Sequence, residues 1–162
     1  MKVFFFAIAV LLTNLKADAQ QSISVFETFD EFKHILQTST DTTYVINFWA
    51  TWCKPCIAEL PYFEQANQTF KSKPVKFILV SLDAMKQLEK KVIPFIQKTN
   101  IKSKVILLDD DDYNVWIDKV STDWSGSIPA TLLFTKDKRL FVEQEFIDAI
   151  ELESFINQFI QS

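Results

Sequence analysis

The chain has 162 residues, about one domain's worth, and 48% of them are apolar, which excludes a disordered segment. Its net charge of −4 offers no basic face for nucleic acid. The single glycine, Gly126, excludes glycine-rich phosphate loops, because those need several glycines close together. Cys53 and Cys56 are the only cysteines, too few for a small domain held together by disulfides.

Residues 1–19 are typical of a secretory signal peptide. Lys2 supplies the positive charge, a mostly apolar run extends to Leu15, and Ala-Asp-Ala precedes Gln20. This run is shorter than the roughly 20 residues that a membrane helix needs, although an uncleaved anchor or a buried helix stays an alternative. We expect cleavage at Ala19–Gln20, one domain over residues 20–162, and a periplasmic or secreted location in which disulfides persist.

Hydrophobic periodicity predicts that helices and strands alternate along the rest of the chain. In order, the predicted elements are a helix over 28–38, a strand over 44–49, a helix over 55–70, a strand over 75–80, a helical segment over 84–99 that Pro94 kinks or restarts, a strand over 104–108, a short helix over 113–120, a hairpin of strands 130–135 and 140–146, and a helix over 149–160. Alternating strands and helices indicate parallel pairing, whereas the hairpin adds antiparallel strands. The sequence therefore predicts one α/β domain with a mixed central sheet flanked by helices.

Cys53 and Cys56 lie where the predicted strand over 44–49 gives way to a helix. A helix N-terminus presents free N–H groups and a partial positive charge, and both favour a thiolate. Pro55 suits the first turn of a helix, where its missing N–H would have no partner. Lowering a cysteine pKa from about 8.5 to near 7 corresponds to ~2 kcal/mol of thiolate stabilisation. We expect Cys53 to exchange with a partner disulfide and Cys56 to resolve the mixed disulfide.

Two other uses of the cysteine pair stay open at this point. A zinc ion needs about four ligands, but His34 is the only histidine and there is no third cysteine. A structural disulfide across two intervening residues closes too small a loop to stabilise the fold much. We therefore favour redox chemistry, and we expect no metal and no cofactor beyond the dithiol.

Residues 48–56, Phe-Trp-Ala-Thr-Trp-Cys-Lys-Pro-Cys, resemble the active site of the thioredoxin superfamily. The continuation Ile-Ala-Glu-Leu-Pro over 57–61 is similar to the TlpA/ResA-like branch of extracytoplasmic thiol–disulfide oxidoreductases. Ser-Ile-Pro-Ala-Thr over 127–131 resembles the cis-proline loop of the superfamily. The resemblance covers residues 25–160 and implies a thioredoxin-like fold, with an extra helix–strand insertion before the cis-proline loop.

Glu59 follows Cys56 by three residues and flanks the apolar stripe of the same predicted helix. A carboxyl group at that edge should have a raised pKa, which suits a proton acceptor for Cys56. The resemblance supports this role, because the family places a glutamate near its cysteines. Thioredoxin proper has a buried Asp where this chain has Asn47, so its usual proton acceptor is missing. A solvated helix charge is the alternative for Glu59.

The resemblance also implies a surface that binds the substrate. The Ile128–Pro129 bond would be cis, the loop would face the cysteines, and the backbone at Ile128 would pair with a substrate strand. Trp52 would help to dock the partner, with core packing as an equal alternative. Trp49 is expected to pack beneath the site, whereas Trp124 either lines the same face or packs in the core.

By resemblance, the protein supplies electrons to disulfide-bearing protein substrates, apocytochrome c among them, and a membrane thiol–disulfide electron donor recharges it. The sequence itself leaves the direction of electron flow open. A monomer without a nucleic-acid partner is expected. One rival is a peroxiredoxin-like peroxidase, whose P-x-x-x-T-x-x-C pattern would need Thr or Ser where the chain has Ala50. The other is a redox-silent module that binds proteins through the same groove.

Overall fold

The computed structural model describes residues 23–162, so the predicted signal peptide lies outside the described residues. The regular elements, in chain order, are β1 Ser24–Phe26, α1 Phe29–Leu36, β2 Thr43–Trp49, α2 Lys54–Thr69, β3 Val75–Ser81, α3 Ile93–Thr99, β4 Lys104–Leu108, α4 Tyr113–Val120, β5 Ala130–Phe134, β6 Arg139–Val142 and α5 Ala149–Gln161. A 3₁₀ turn over Met85–Gln87 and a π-helical turn over Leu88–Val92 precede α3.

The predicted elements are confirmed, except that one strand ends earlier than predicted and the short strand β1 was not predicted. Pro94 lies in the first turn of α3, so the helical segment does restart there. The second strand of the hairpin ends at Val142 and not at the predicted Phe146. Phe146 instead lies in the loop before α5, fully buried, because its ring packs against Phe63 at 6.0 Å between centroids. β1 was not predicted, since three residues are too few to show a period.

The sheet has six strands in the order β1-β4-β3-β2-β5-β6. β1, β4, β3 and β2 run parallel, whereas β5 is antiparallel to β2 and β6 is antiparallel to β5. The mixed sheet is therefore as predicted. α3, β4 and α4 connect β3 to the loop before β5. That this connection is an insertion relative to thioredoxin proper stays a prediction.

All seven residues of β2 are buried, because helices cover both faces of the sheet. On one face α2, α3 and α5 contribute apolar side chains, and on the other face α1 and α4 do so. Burying one large apolar side chain contributes about 1.5–3 kcal/mol, so these two layers fix β2 at the centre of the domain. Within residues 23–162, no helix is long and apolar enough to cross a membrane. The rigid end of β2, at Trp49, then positions the cysteine pair that follows.

Candidate active site

Cys53 and Cys56 are joined by a disulfide at the N-terminus of α2, with 5.3 Å between their Cα atoms. Cys53 is the N-cap of the helix, and the backbone N–H of Cys56 points at the Cys53 sulfur at 3.3 Å. Cys53 is 6% exposed and Cys56 is fully buried, so a partner reaches the sulfur of Cys53 first. When the disulfide is reduced, the N–H group and the helix terminus both stabilise a Cys53 thiolate.

The turn that delivers Cys53 is held by Asp83, which follows β3. Its carboxylate accepts the backbone N–H of Thr51 at 2.9 Å, the Thr51 hydroxyl at 2.6 Å and the Ser81 hydroxyl at 2.8 Å. Asp83 is almost fully buried, which makes an unbonded carboxylate costly there. Asp83 was not predicted from the sequence, since nothing in the spacing of a single Asp and Thr 32 positions apart indicates a contact.

The predicted cis bond is present between Ile128 and Pro129. The carbonyl oxygen of Ile128 lies 3.6 Å from the sulfur of Cys53, so the loop faces the cysteine pair as the resemblance implies. Pro129 is buried and Ile128 is half-buried. An extended chain placed at Ile128 would therefore lie beside the reachable sulfur.

The loop before Pro129 is fixed by side chains around Gly126. The Trp124 indole N–H donates to the carbonyl of Ser127 at 2.8 Å. Glu143 accepts both the N–H and the hydroxyl of Ser125, at 2.7 and 2.6 Å, and these bonds lower the pKa of its carboxyl group. Gly126 has φ +98°, a conformation that side-chain-bearing residues rarely adopt.

The three tryptophans considered for the site, Trp49, Trp52 and Trp124, differ in exposure. Trp52 is 63% exposed beside Cys53, so it is available for docking and does not pack in the core. Trp49 is fully buried and stacks obliquely on Phe95, as predicted for a residue beneath the site. Trp124 is also buried, 4.6 Å from Phe48 between ring centroids, which settles its role as packing.

Glu59 is fully buried, so the alternative of a solvated helix charge is wrong. Its Oε1 accepts from the Asn47 side-chain amide at 2.8 Å, and its Oε2 accepts from the backbone N–H of Phe146 at 2.9 Å. Burial raises the pKa of Glu59 to about 7, with a small addition from the charge of Glu145, although both hydrogen bonds oppose the rise. A carboxyl group with this pKa exchanges its proton readily at neutral pH.

Asn47 and Thr131 face each other across β2 and β5, beside Glu59. The Asn47 Nδ2 also donates to the Thr131 hydroxyl, at 3.3 Å, and both residues are fully buried. The sequence analysis noted Asn47 only as a missing Asp, and it placed Thr131 in the loop motif without a role. Phe146 was missed altogether, because its contribution is a backbone N–H that no side-chain pattern reveals.

Nothing in the described part of the chain suggests a metal centre: no group of three or more His, Cys, Asp or Glu side chains is arranged to hold an ion. His34, which would have to complete a zinc site with the cysteines, is exposed on α1. The chemistry available at this site is therefore that of the two sulfurs, the buried carboxyl group and the backbone around them.

Comparison with known proteins gives a family match over most of the chain: residues 21–142 match the AhpC/TSA family. The thiol-disulfide oxidoreductase ResA of Oceanobacillus iheyensis is 51% identical over 39 residues, covering 24% of this chain and 20% of ResA. The ResA of Bacillus cereus is 31% identical over 99 residues, covering 59% of this chain and 50% of ResA. The chain thus spans half or less of the length of these relatives.

A solved structure, the thioredoxin-related protein from Neisseria meningitidis serogroup B, superposes with a TM-score of 0.65. It shares 19% sequence identity, and the match covers 78% of this chain and 91% of the other. At that identity the likeness concerns the fold alone. The predicted thioredoxin-like fold is confirmed, as is the resemblance to TlpA/ResA-like proteins.

Proposed function

The chain belongs to the AhpC/TSA family, and from this premise we propose that it is an extracytoplasmic thiol–disulfide oxidoreductase that reduces protein disulfides through Cys53 and Cys56. The observation that carries the proposal is the disulfide at a helix N-terminus, with its outer sulfur beside the cis-proline loop. Names of relatives such as ResA agree with this activity.

The reaction starts from the reduced pair. The Cys53 thiolate attacks one sulfur of the partner disulfide, which breaks that bond, forms a mixed disulfide and releases the partner's other sulfur as a thiolate. Cys56 then gives its thiol proton to Glu59 and attacks the Cys53 sulfur. The mixed disulfide breaks, the partner leaves with two reduced sulfurs, and the two electrons come from the Cys53–Cys56 dithiol.

Glu59 suits the proton-accepting role because its pKa of about 7 lies far above that of an ordinary glutamate. A base works best when its pKa is close to the working pH, since it must be ionised and still bind a proton strongly. It lies one helical turn beyond Cys56, on the buried side of α2. Bulk water has little access to either group, so the proton needs an internal acceptor.

The substrate-binding residues in this proposal are Trp52, Ile128 and Pro129. The exposed Trp52 ring provides an apolar contact next to the reactive sulfur. The backbone of Ile128 offers a hydrogen-bonding edge to an extended segment of the partner, as in recognition by strand addition. No cofactor beyond the dithiol is needed for these steps.

The location and the partner are further parts of the proposal. The signal-like residues 1–19 support export to the periplasm or secretion. In that setting, disulfide-bearing apocytochrome c is the proposed substrate and a membrane thiol–disulfide protein the proposed electron donor. Deleting the gene should then lower holocytochrome c, and an added small thiol reductant should restore it; normal holocytochrome c in the deletion strain excludes this substrate.

Peroxide reduction is the second candidate, because the match to the AhpC/TSA family is also compatible with a peroxiredoxin-like peroxidase. The peroxidase pattern needs Thr or Ser three residues before the reactive cysteine and Pro four residues earlier still, but the chain has Ala50 and Ile46. Ala50 has no hydroxyl group, so the hydroxyl that this pattern places three residues before the reactive cysteine is missing. Peroxide consumption by the reduced protein at a rate comparable with its disulfide exchange would favour this candidate instead.

A trapping experiment tests the main proposal. With Cys56→Ala, Cys53 should hold its partner as a mixed disulfide that mass spectrometry can identify, because the resolving thiol is gone. The double variant Cys53→Ala/Cys56→Ala is the control and should trap nothing. If Cys53→Ser supports the biological function as well as the wild type, the protein is a redox-silent binding module and the proposal is wrong.

Equilibration with glutathione fixes the direction of electron flow. A potential near that of thioredoxin, about −270 mV, agrees with a reductant, whereas one near that of DsbA, about −120 mV, means an oxidant.

A further inference from the structure

The hydrogen bond from the Phe146 N–H to Glu59 favours one carboxyl oxygen as the site of protonation. A backbone N–H only donates, so the oxygen that it contacts, Oε2, must accept. The carbonyl oxygen of a carboxylic acid is a better acceptor than its O–H oxygen, so Oε1 is the favoured site of the proton. This is the oxygen that faces Asn47.

Protonation of Oε1 creates a conflict with the present orientation of Asn47. The Asn47 Nδ2 lies 2.8 Å from Oε1 and donates to it. Once Oε1 carries a hydrogen, two donors face each other across that distance, and both are buried. A buried donor without an acceptor costs about 1–3 kcal/mol.

The acceptor that would remove this conflict is already next to the site. Among the residues that the structure describes, Asn47 Oδ1 is one of two buried side-chain polar atoms without a hydrogen-bond partner. The two ends of an amide differ little in size, so a half-turn about its terminal bond exchanges Oδ1 with Nδ2. The NH₂ group then lies where Oδ1 lies now, at a position without a hydrogen-bond partner, but it no longer faces a second donor at 2.8 Å. The Thr131 hydroxyl accepts from Nδ2 now, and after the half-turn it can rotate and donate to Oδ1.

We propose that Asn47 is a positioning residue whose side-chain amide turns over when Glu59 changes protonation state, donating to the carboxylate and accepting from the acid. Thr131 follows by reversing its own hydrogen bond. This inference rests on the proposed role of Glu59 as the proton acceptor. It explains what an asparagine offers here: a Leu could serve neither state, and an Asp would add a second acid to share the proton.

The electrostatic surroundings of Glu59 are simple enough for this response to be isolated. Glu145, in the loop before α5, adds a weak repulsion, and β2 and β5 contribute the neutral Asn47 and Thr131. Cys56 lies one turn earlier on α2, but in the disulfide form neither cysteine titrates. In the oxidised protein, Glu59 is therefore the group whose protonation should control Asn47.

The test is nuclear magnetic resonance on the oxidised, isotope-labelled protein between pH 5 and 9. The carboxyl carbon of Glu59 reports its ionisation, and the contacts of the Asn47 amide protons report the orientation of the amide. We expect both to change with one common midpoint. At high pH the amide protons should lie near the Thr131 side chain, and at low pH they should have turned away from it.

The outcomes separate the inference from the proposed function. If Glu59 titrates while the Asn47 contacts stay constant, the amide does not turn and this inference is overturned, but the role of Glu59 stands. If Glu59 does not titrate in this range, its role as proton acceptor fails together with the inference. Trapping by Cys56→Ala then still decides independently whether the cysteines exchange disulfides.

Glu59→Gln provides a second test, because the Phe146 N–H forces the glutamine oxygen to its own side. The glutamine NH₂ must then face Asn47, as the protonated acid does. We expect the Asn47 amide in this variant to keep the low-pH orientation from pH 5 to 9. The high-pH orientation in Glu59→Gln would overturn the inference. Glu145→Gln is the matched control and should still show the turn.

Discussion

The buried carboxyl group of Glu59 should make the folded state less stable as the pH rises, and Glu59→Gln should remove that effect. In the unfolded chain this group ionises with a pKa near 4.5, whereas in the folded protein its pKa is about 7. Between these values the folded state holds a proton that the unfolded state has lost. The contribution of Glu59 to the free energy of unfolding is therefore highest below pH 4.5, decreases as the pH rises from 4.5 to about 7, and is constant at higher pH.

The size of this effect follows from the two pKa values. A shift of one pKa unit corresponds to about 1.4 kcal/mol. The rise of the Glu59 pKa from 4.5 to about 7 therefore lowers the free energy of unfolding by about 3 kcal/mol once this carboxyl group is ionised in the folded protein. Desolvation of the carboxylate is the main cause, and its two hydrogen bonds recover only part of the loss. In Glu59→Gln the amide is neutral at every pH, so this contribution disappears.

Denaturant unfolding of the oxidised protein from pH 4 to 8.5, followed by tryptophan fluorescence, measures this effect. Other carboxyl groups also titrate, so the informative quantity is the difference between the unfolding free energies of wild type and Glu59→Gln at each pH. That difference should change by about 3 kcal/mol between pH 4.5 and 7 in favour of the variant. A difference that is constant with pH refutes the raised pKa, whatever its absolute value.

Three further predictions concern the reaction and the two supports of the site. Glu59→Gln should slow resolution of the mixed disulfide by about 100-fold or more, the usual contribution of a positioned base. Stopped-flow rates at pH 7 measure this, and the inflection that ionisation of Glu59 produces near pH 7 in the wild-type pH profile should be missing in the variant. Asp83→Ala should lower the unfolding free energy by about 1–3 kcal/mol, because buried donors lose their acceptor. Asp109→Asn, at a half-buried carboxylate that accepts the N–H of Met85, is its control and should change stability less. Gly126→Ala should cost about 1–2 kcal/mol, since φ is +98° and the new Cβ would lie 3.3 Å from an Ile117 methyl group; equal unfolding free energies of variant and wild type would contradict this reasoning.

The sequence was sufficient for features that depend on neighbouring residues. The apolar stripe located α2, a run of β-branched and aromatic residues located β2, and Cys53 followed at their junction. The position of Glu59 at the edge of the apolar stripe of α2 could be predicted for the same reason, because helical geometry fixes it, whereas its complete burial depends on the elements packed against α2. These are local properties, and local geometry is nearly the same in every protein.

The parts of the site that the sequence did not reveal are contacts between distant segments. Asp83 reaches Thr51 across 32 positions, and Phe146 reaches Glu59 across 87. Either contact depends on how β3 and the loop after β6 are placed by the whole sheet. In the second case the group involved is a backbone N–H, which every residue except proline has, so residue type gives no signal.

The pairing of β5 with β2 links the loop proposed to bind the partner to the carboxyl group proposed to accept the proton. Thr131 lies opposite Asn47, and Pro129 is only two residues before it on the same chain segment. Because side chains alternate between the faces of a strand, a shift of β5 by one residue would bring Leu132 opposite Asn47 and move Ile128 along the cysteine pair. A loop grafted here to change the partner must therefore preserve this register, or the protein would lose the hydrogen bonds that join Thr131, Asn47 and Glu59.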